Sequence, residues 1–295
     1  MILSIGEILF DIFPKYRRIG GAPFNFAFHL QSLGFETRFI SRVGDDENGR
    51  EILDFLNERD FNPQFIQIDS DHKTGEVQVT LDDDGNARFH IVEDVAYDHI
   101  ACTDAVRTLM AEADLVYYGS LIQRSPQGFA QVGEMLRGRG EKTRCLYDVN
   151  FRPGCYDEKI VRASLDPCTI LKLNSDELPM IQEMLGVKGD RDTAVRRLMD
   201  DYDLEMTALT MGGEGSRLYT RSEQYTAAPS ENLSIVDTVG AGDGFTAILA
   251  AGCLAGWDGD RILQTATRFA SAVCEIEGAI PDDADFYGPF RSRFQ

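Results

Sequence analysis

One carboxylate set between glycines is the most chemically suggestive feature of this 295-residue chain. In IVDTVGAGDGFTAILAAG, which begins at Ile235, an apolar stretch read as a short strand (Leu233 to Val236) runs into Gly240-Ala241-Gly242 and Asp243. Small residues from Gly244 onward then spell a helix. Such a turn leaves the first amide N–H groups of the helix unpaired, and the helix dipole adds about half a positive charge there, which makes an anion site. Gly240 and Gly242 let backbone approach the anion without a Cβ in the way. Asp243 would repel that anion, which makes sense if it is a base: the dipole keeps it ionised, and a hydroxyl lying between it and a phosphate loses its proton as it attacks. The competing reading, Asp243 as an ordinary N-cap, is equally compatible with the local sequence. Neither GxxxxGK[ST] nor GxGxxG follows any strand, so the two commonest phosphate loops are absent.

Other segments carry weaker signals. Asn174 to Glu177 (NSDE) follows the apolar run ILKL. On its own it reads best as a capping box, although an amide and a carboxylate at the end of a parallel strand are also placed to serve a hydrated Mg²⁺. Thr210 to Gly215 (TMGGEG) is either a plain hairpin or a place where a flat nucleotide meets bare backbone. Gly20-Gly21-Ala22-Pro23 opens a helix in which Asn25 is a lone amide among Phe24, Phe26, Ala27 and Phe28. A buried amide without partners costs about 1–3 kcal/mol, so Asn25 needs backbone, water or a ligand, and Asp11 at the end of an apolar strand raises the same question. A polyol would answer both. The four histidines (His29, His72, His90, His99) show no metal-ligand spacing, and most of them are expected at the surface or on a lid; HExxH and GxSxG are missing.

The elements that must hold these residues alternate. Apolar strands at Ile2–Ile5, Thr37–Val43, Leu115–Tyr118, Cys145–Val149, Ile170–Leu173 and Met206–Thr210 are separated by helical patterns at 48–58, 105–113, 128–137, 177–184 and 193–200, with a late amphipathic helix over 260–276. This predicts a mostly parallel sheet with helices on both faces. Residues 75–92 break the pattern: two period-two runs around Asp84-Gly85 predict a hairpin. With the extended piece from Asp11 to Ile19 it makes either a small separate sheet or an antiparallel extension of the main one.

Composition sets the outer bounds. With 43% hydrophobic and 26% charged residues, and Gly and Pro spread evenly, the chain is a folded globular protein long enough for a full core. A formal net charge of −20 argues against nucleic acid and anionic membrane partners. Six cysteines without a CxxC pair suit reduced thiols, and no basic leader or membrane-length apolar run is present, so a cytoplasmic protein is expected.

Taken together, GEILFD, GGAPFNFAFHLQSLG, YDVNFRP, KLNSDE, TMGGEGS and DTVGAGDGFTAILAAG resemble, in order and spacing, the ribokinase-like (PfkB) sugar kinases across essentially the whole chain, with GGAP at 20–23 most like the fructokinase branch. The resemblance implies one Rossmann-like α/β domain over 1–295, a β-sheet lid inserted from about 11–20 and 72–98, ATP as donor, Mg²⁺ and, in many members, K⁺. By position it implies Asp243 as catalytic base with Gly240, Ala241 and Gly242 as the anion hole, and Asp11, Gly21 and Asn25 on the sugar. It further implies Arg152 near the transferred phosphate, Asn174 and Glu177 organising Mg²⁺ through water, Thr210 and Gly212 on the nucleotide, the segment Cys274 to Gly278 beside the adenine, and Asp237 as a monovalent-cation ligand. Lid pairing in such proteins implies a homodimer. D-fructose is the first substrate expected. Alternatives are 2-keto-3-deoxygluconate, for which Arg88 and Tyr97 are candidate carboxylate partners, ribose or a nucleoside. Outside the kinases stand a non-catalytic sugar-binding homologue and a Rossmann oxidoreductase, the latter disfavoured by the missing GxGxxG.

Overall fold

The computed structural model describes residues 1–81, 87–230 and 233–294. In chain order the strands are β1 (Ile2–Ile5), β2 (Leu9–Ile12), β3 (Arg17–Gly20), β4 (Thr37–Gly44), β5 (Ile66–Asp69), β6 (Gly75–Leu81), β7 (Ala87–Ile91), β8 (Leu115–Gly119), β9 (Arg144–Asp148), β10 (Ile170–Asn174), β11 (Met206–Thr210), β12 (Ser216–Thr220) and β13 (Gln224–Ala227). The helices are α1 (Ala22–Ser32), α2 (Glu47–Glu58), α3 (Asp104–Glu112), α4 (Pro126–Arg137), α5 (Glu158–Leu165), α6 (Glu177–Leu185), α7 (Arg191–Asp201), α8 (Ala241–Leu254), α9 (Gly259–Val273) and the single turn α10 (Gly288–Arg291).

Nine strands form the main sheet in the order β13-β12-β11-β10-β9-β8-β1-β4-β5. From β5 to β11 it is parallel, and β12 and β13 add antiparallel edge strands. Strand alternation divides the core. Leu115 and Tyr117 of β8 face the apolar layer under α1, α2, α8 and α9, whereas Val116 and Tyr118 face the layer under α3 to α7. The chain order reverses at β1, whose neighbours are β4 on one side and β8 on the other. In open α/β sheets the crevice beyond the strand C-termini at such a reversal is where ligands bind.

The hairpin resolves as part of a separate four-stranded sheet, β3-β2-β6-β7, rather than an extension of the main one. Strands β6 and β7 pair antiparallel as the alternation predicts, while Asp84 and Gly85 of its turn lie outside the described residues. Residues in register share a face, so Asp11, Arg18 and Val77 look one way, and Phe10 and Glu76 look the other.

Two expectations fail locally. Leu233 to Val236 is not a strand: Ile235 and Val236 are 63% and 59% exposed, and the amides of Val236 and Asp237 donate to the Cys274 carbonyl. The helix expected to reach Ile276 stops at Val273, capped at Cys274, so that this carbonyl can receive the incoming segment. Among the described residues no helix is long and apolar enough to cross a membrane.

Candidate functional site

Asp243 sits in the first turn of α8 without capping it. The N-cap is Gly240, whose φ of 77° is left-handed and whose Cβ, were there one, would lie 2.3 Å from Ala279 Cβ, so no larger residue fits. Among the described residues the N–H groups of Gly242 and Asp243 meet no intramolecular acceptor. The anion-binding reading of this turn therefore survives and the N-cap reading of Asp243 does not.

The carboxylate is held from the other side of the cleft. Asn25, 4% exposed on α1, donates from Nδ2 to Asp243 Oδ2 at 2.8 Å, while its own Oδ1 is buried without a partner. That orphan acceptor answers the question Asn25 posed: it is free for a ligand hydroxyl. Burial pushes the Asp243 carboxyl up to about 6, against the pull of Asn25, Lys172 and Arg152. Desolvation is the largest influence, and it leaves a carboxylate that still takes up a proton just below neutrality.

Beneath α8 lies a pair that the sequence reading missed. Asp148 and Lys172 are in register on β9 and β10, and alternation turns both toward α8. Lys172 Nζ donates to Asp148 Oδ1 at 3.1 Å, with both side chains buried. Asp148 Oδ2 lies 3.2 Å from Thr246 Oγ1 and accepts from Tyr117 Oη at 3.4 Å. Burial works against the Lys172 ammonium, yet Asp148 and Glu177 more than compensate and hold it charged. A Cβ at Gly242 would come within 3.3 Å of Nζ, so this ammonium sits directly behind the turn of free amides. A lysine inside the apolar run ILKL was the available signal.

Glu177 and Asn174 form the capping arrangement their spacing suggests: Glu177 Oε2 accepts from Asn174 N at 2.7 Å and Asn174 Oδ1 from Glu177 N at 2.9 Å. Glu177 Oε1 also accepts from Phe151 N at 3.1 Å, which ties the loop after β9 to the start of α6. Burial raises its carboxyl above the usual range while Lys172 pulls it back. Each oxygen already serves an amide, so a Mg²⁺ ion fits here through a water rather than by direct ligation.

Asp11 is half-buried on β2, and burial pushes it up to about 6 despite Arg152 and Arg18. Gly21 has φ 117°, and a Cβ there would strike the Glu7 carbonyl at 2.5 Å. Glu7 itself, 5% exposed and unassigned from sequence, is pushed by burial to about 7; with Pro23, Tyr117, Ser120 and the left-handed Asn150 (φ 38°) it lines a narrow crevice at the β1–β8 reversal. Arg152 is exposed, makes no ion pair among the described residues, and acts electrostatically on Glu7, Asp11 and Asp243 together.

Thr210 ends β11, and Gly212, with φ 53°, starts the turn into β12; the plain hairpin is present, and the space over Gly212 and Gly213 is open. Asp237 behaves as a clasp. Its Oδ1 accepts from Val239 N at 3.0 Å, and its Oδ2 accepts from Gly278 N at 3.1 Å and faces Arg18 Nη1 at 3.4 Å.

Two readings are corrected. Tyr97 is fully buried, its ring under Arg124, and is not available to a substrate carboxylate; the side chain of Arg88 lies outside the described residues. His29 is a core residue bonded to Tyr287 Oη at 2.9 Å, and burial drives it down to about 3. Phe24 and Phe26, the apolar neighbours of Asn25, point into the core, Phe26 stacked on Tyr117 at 4.1 Å. A cavity of about 430 Å³ lined by Asp46, Lys73, Thr74, Glu76, Gln78 and Val95 shares no residue with the Asp243 cluster. Because Glu76 and Gln78 lie on the face of the small sheet opposite Asp11, we assign the chemistry by the convergence of polar groups at Asp243, not by this volume.

A carboxylate base beside free helix amides, at the C-terminal edge of a parallel sheet and faced by a second small sheet, defines a group-transfer site for an anionic donor. The family profile of the pfkB family carbohydrate kinases matches residues 16–285, and the chain belongs to that family. It is thus a phosphotransferase. The chain is 30% identical over 274 residues to the sugar kinase PH1459 of Pyrococcus horikoshii (86% of this chain, 83% of that one), an uncharacterised enzyme whose crystal structure with ATP superposes with a TM-score of 0.79 at 26% identity over 95% and 94% of the two chains. It is 26% identical to fructokinase-2 of Oryza sativa over 307 residues, 95% and 90% of the chains. The ATP-bound fructokinase of Xylella fastidiosa shares the fold, with a TM-score of 0.82 at 21% identity over 100% and 99%.

Proposed function

We propose that this protein transfers the γ-phosphoryl group of ATP to a hydroxyl of a neutral monosaccharide, D-fructose first. The observation that carries the reading is Asp243: desolvated, gripped by Asn25 and set beside two N–H groups with no internal acceptor. The names of the rice and Xylella relatives support fructose, and ATP in the Pyrococcus structure supports the donor.

Asn25 Oδ1 and Asp11 orient the sugar so that one hydroxyl points at Asp243, which accepts its proton as the oxygen attacks. The amides of Gly242 and Asp243, backed by the Lys172 ammonium, receive the charge that spreads over the transferring phosphoryl oxygens. Gly240 and Ala241 fix the turn that aims them. Arg152, unpaired at the rim, meets the phosphate from the solvent side. Thr210 and Gly212 border the open surface for the nucleotide, and Cys274 to Gly278 closes its far edge. Asn174 and Glu177 would hold Mg²⁺ through water, and the ion would there supply charge neutralisation to the phosphates. No step passes through Asp237 or K⁺. The small sheet acts as a lid that brings Asp11 down and excludes water, which would otherwise consume the phosphoryl group. Six cysteines without a disulfide suit a reducing cytoplasm.

An ADP-release assay over fructose, ribose, tagatose, 2-keto-3-deoxygluconate and adenosine tests the substrate. Fructose is expected to give the highest kcat/KM. A preference for the keto-acid or the nucleoside would overturn the sugar while leaving the kinase, and ADP formation unmoved by every acceptor would overturn both.

A further inference from the structure

We propose that His72, Asp94 and His99 form a binding site for one borderline transition-metal dication such as Zn²⁺, Ni²⁺ or Co²⁺, at the base of the β6–β7 hairpin. The residues are 22 and 5 positions apart in sequence, so no ligand spacing announces them, but their ligand atoms all lie within 4.8 Å of one another. The two imidazoles stack with centroids 3.6 Å apart, and both Nε2 atoms face Asp94 Oδ1, from His99 at 2.9 Å and from His72 at 3.7 Å.

The outer contacts fix which nitrogens are free. His72 Nδ1 is 3.0 Å from Asp69 Oδ2, a buried carboxylate that can only accept and is itself paired with Arg42. His72 Nδ1–H therefore donates to Asp69, and Nε2 is the nitrogen left to face Asp94. His99 Nδ1 lies 3.1 Å from Gln127 Oε1, the same arrangement with an amide oxygen as acceptor. Nε2 of each ring thus faces Asp94 Oδ1, where it serves as an N–H donor to the carboxylate or, once that proton is displaced, as a metal ligand beside it. A carboxylate or carbonyl behind each ligating histidine is the support that metal-binding histidines ordinarily have. Two imidazole nitrogens and one carboxylate oxygen form a donor set for zinc-like ions rather than for Mg²⁺ or Ca²⁺. Ligand atoms around such an ion sit roughly 3.3 Å apart and an imidazole lone pair lies in its ring plane, so loading requires the two near-parallel rings to turn out of their stack until both planes meet at the ion. His72 lies just before β6 and Asp94 just after β7, in the left-handed conformation (φ 55°), while His99 ends the turn Ala96–His99 on the main body. A bound ion would join both ends of the hairpin to that body.

The test is calorimetric titration of chelator-treated protein with Zn²⁺, in the absence of sugar and nucleotide so that its outcome is independent of the kinase reading. Co²⁺ absorption serves as a second probe. One tight equivalent is expected, weakened about tenfold or more in His72→Asn and His99→Asn, which keep a donor at the Nδ1 position and delete Nε2, and in the exposed Asp94→Asn, where Asn tolerates the left-handed backbone. Thermal melts of the metal-free variants establish that they fold, and Asp94→Asn decides the matter should either histidine variant melt early. Amide exchange in 75–78 and 90–92 is expected to slow with Zn²⁺ in the parent protein only. Absence of binding, or equal binding in all three variants through cysteines or active-site carboxylates, would overturn the site. Binding with unchanged exchange would overturn its role as a clamp on the hairpin.

Discussion

The floor of the site and its cover are built in opposite ways. Under α8 the polar groups are dry and matched: Asp148 is fully buried and takes Lys172, Thr246 and Tyr117 around its two oxygens. The small sheet anchors Leu9, Phe10 and Val77 in the core, but its polar contacts with the rest of the molecule are partly exposed: Arg17 with Glu51, Arg18 with Glu277 and Asp237, and Glu76 accepting from Asn48 at 2.7 Å. Exposed pairs contribute at most about 1 kcal/mol each and are screened by salt, whereas a buried pair cannot lose one member cheaply. On the proposed reading the difference teaches a division of labour: the polar groups beneath the phosphoryl site are dry and matched in advance, while the polar contacts of the sheet that would admit the sugar are screened by solvent.

Removing one member of the buried pair attacks the floor hardest. Lys172→Met leaves Asp148 charged in a dry site and is expected to cost about 3–5 kcal/mol in urea unfolding. A loss under about 1 kcal/mol would mean that water reaches the pair and the floor is no firmer than the cover.

Glu7 comes next. Its carboxyl ordinarily titrates near 4.5 and is pushed to about 7 in the folded protein. Between those values the folded state keeps a proton that the unfolded state releases, so stability falls as pH rises through this window, by on the order of 2–3 kcal/mol. Glu7→Gln should flatten that slope and be the more stable protein at about pH 8, as read from unfolding at about pH 5 and pH 8. An unchanged slope would show that Glu7 is not desolvated.

The proposed base is read in activity rather than in stability. With Asp243 at about 6, kcat/KM should rise about tenfold per unit up to that pH and then level. Asp11 titrates in the same range, so the limb must persist in Asp11→Asn even as KM worsens. Its disappearance in that variant would move the titration from the floor to the cover.

The smallest effect belongs to the cover alone. Arg18→Gln should change stability by less than about 1 kcal/mol while speeding amide exchange in β2 and β3, as should salt on the parent protein. A loss of several kcal/mol would show the small sheet to be as firmly built as the floor.

How much of this could be read from sequence follows the same division. The parallel sheet, its helices and the cradle at 240–243 were legible because strand alternation, helical period and Gly-flanked turns are local signals. The separate sheet was half legible: the hairpin showed itself, but its partners β2 and β3 lie some sixty residues away, and only tertiary pairing separates it from an edge extension. Lys172 and Glu7 escaped because each is one charge in an apolar segment whose meaning depends on what packs against it. The apolar run at 233–236 misled for the converse reason: hydrophobicity predicts burial, yet Ile235 and Val236 are exposed beside the cradle. Histidine spacing failed twice, hiding the core position of His29 and the convergence of His72 with His99.

The central claim is that Asp243 takes the sugar proton beside amides already in place. It is tested most directly by single-turnover phosphoryl transfer in Asp243→Ala with ATP affinity measured alongside. Transfer slowed about 10²- to 10⁴-fold with ATP affinity kept is the predicted result; transfer at close to the parent rate would contradict it.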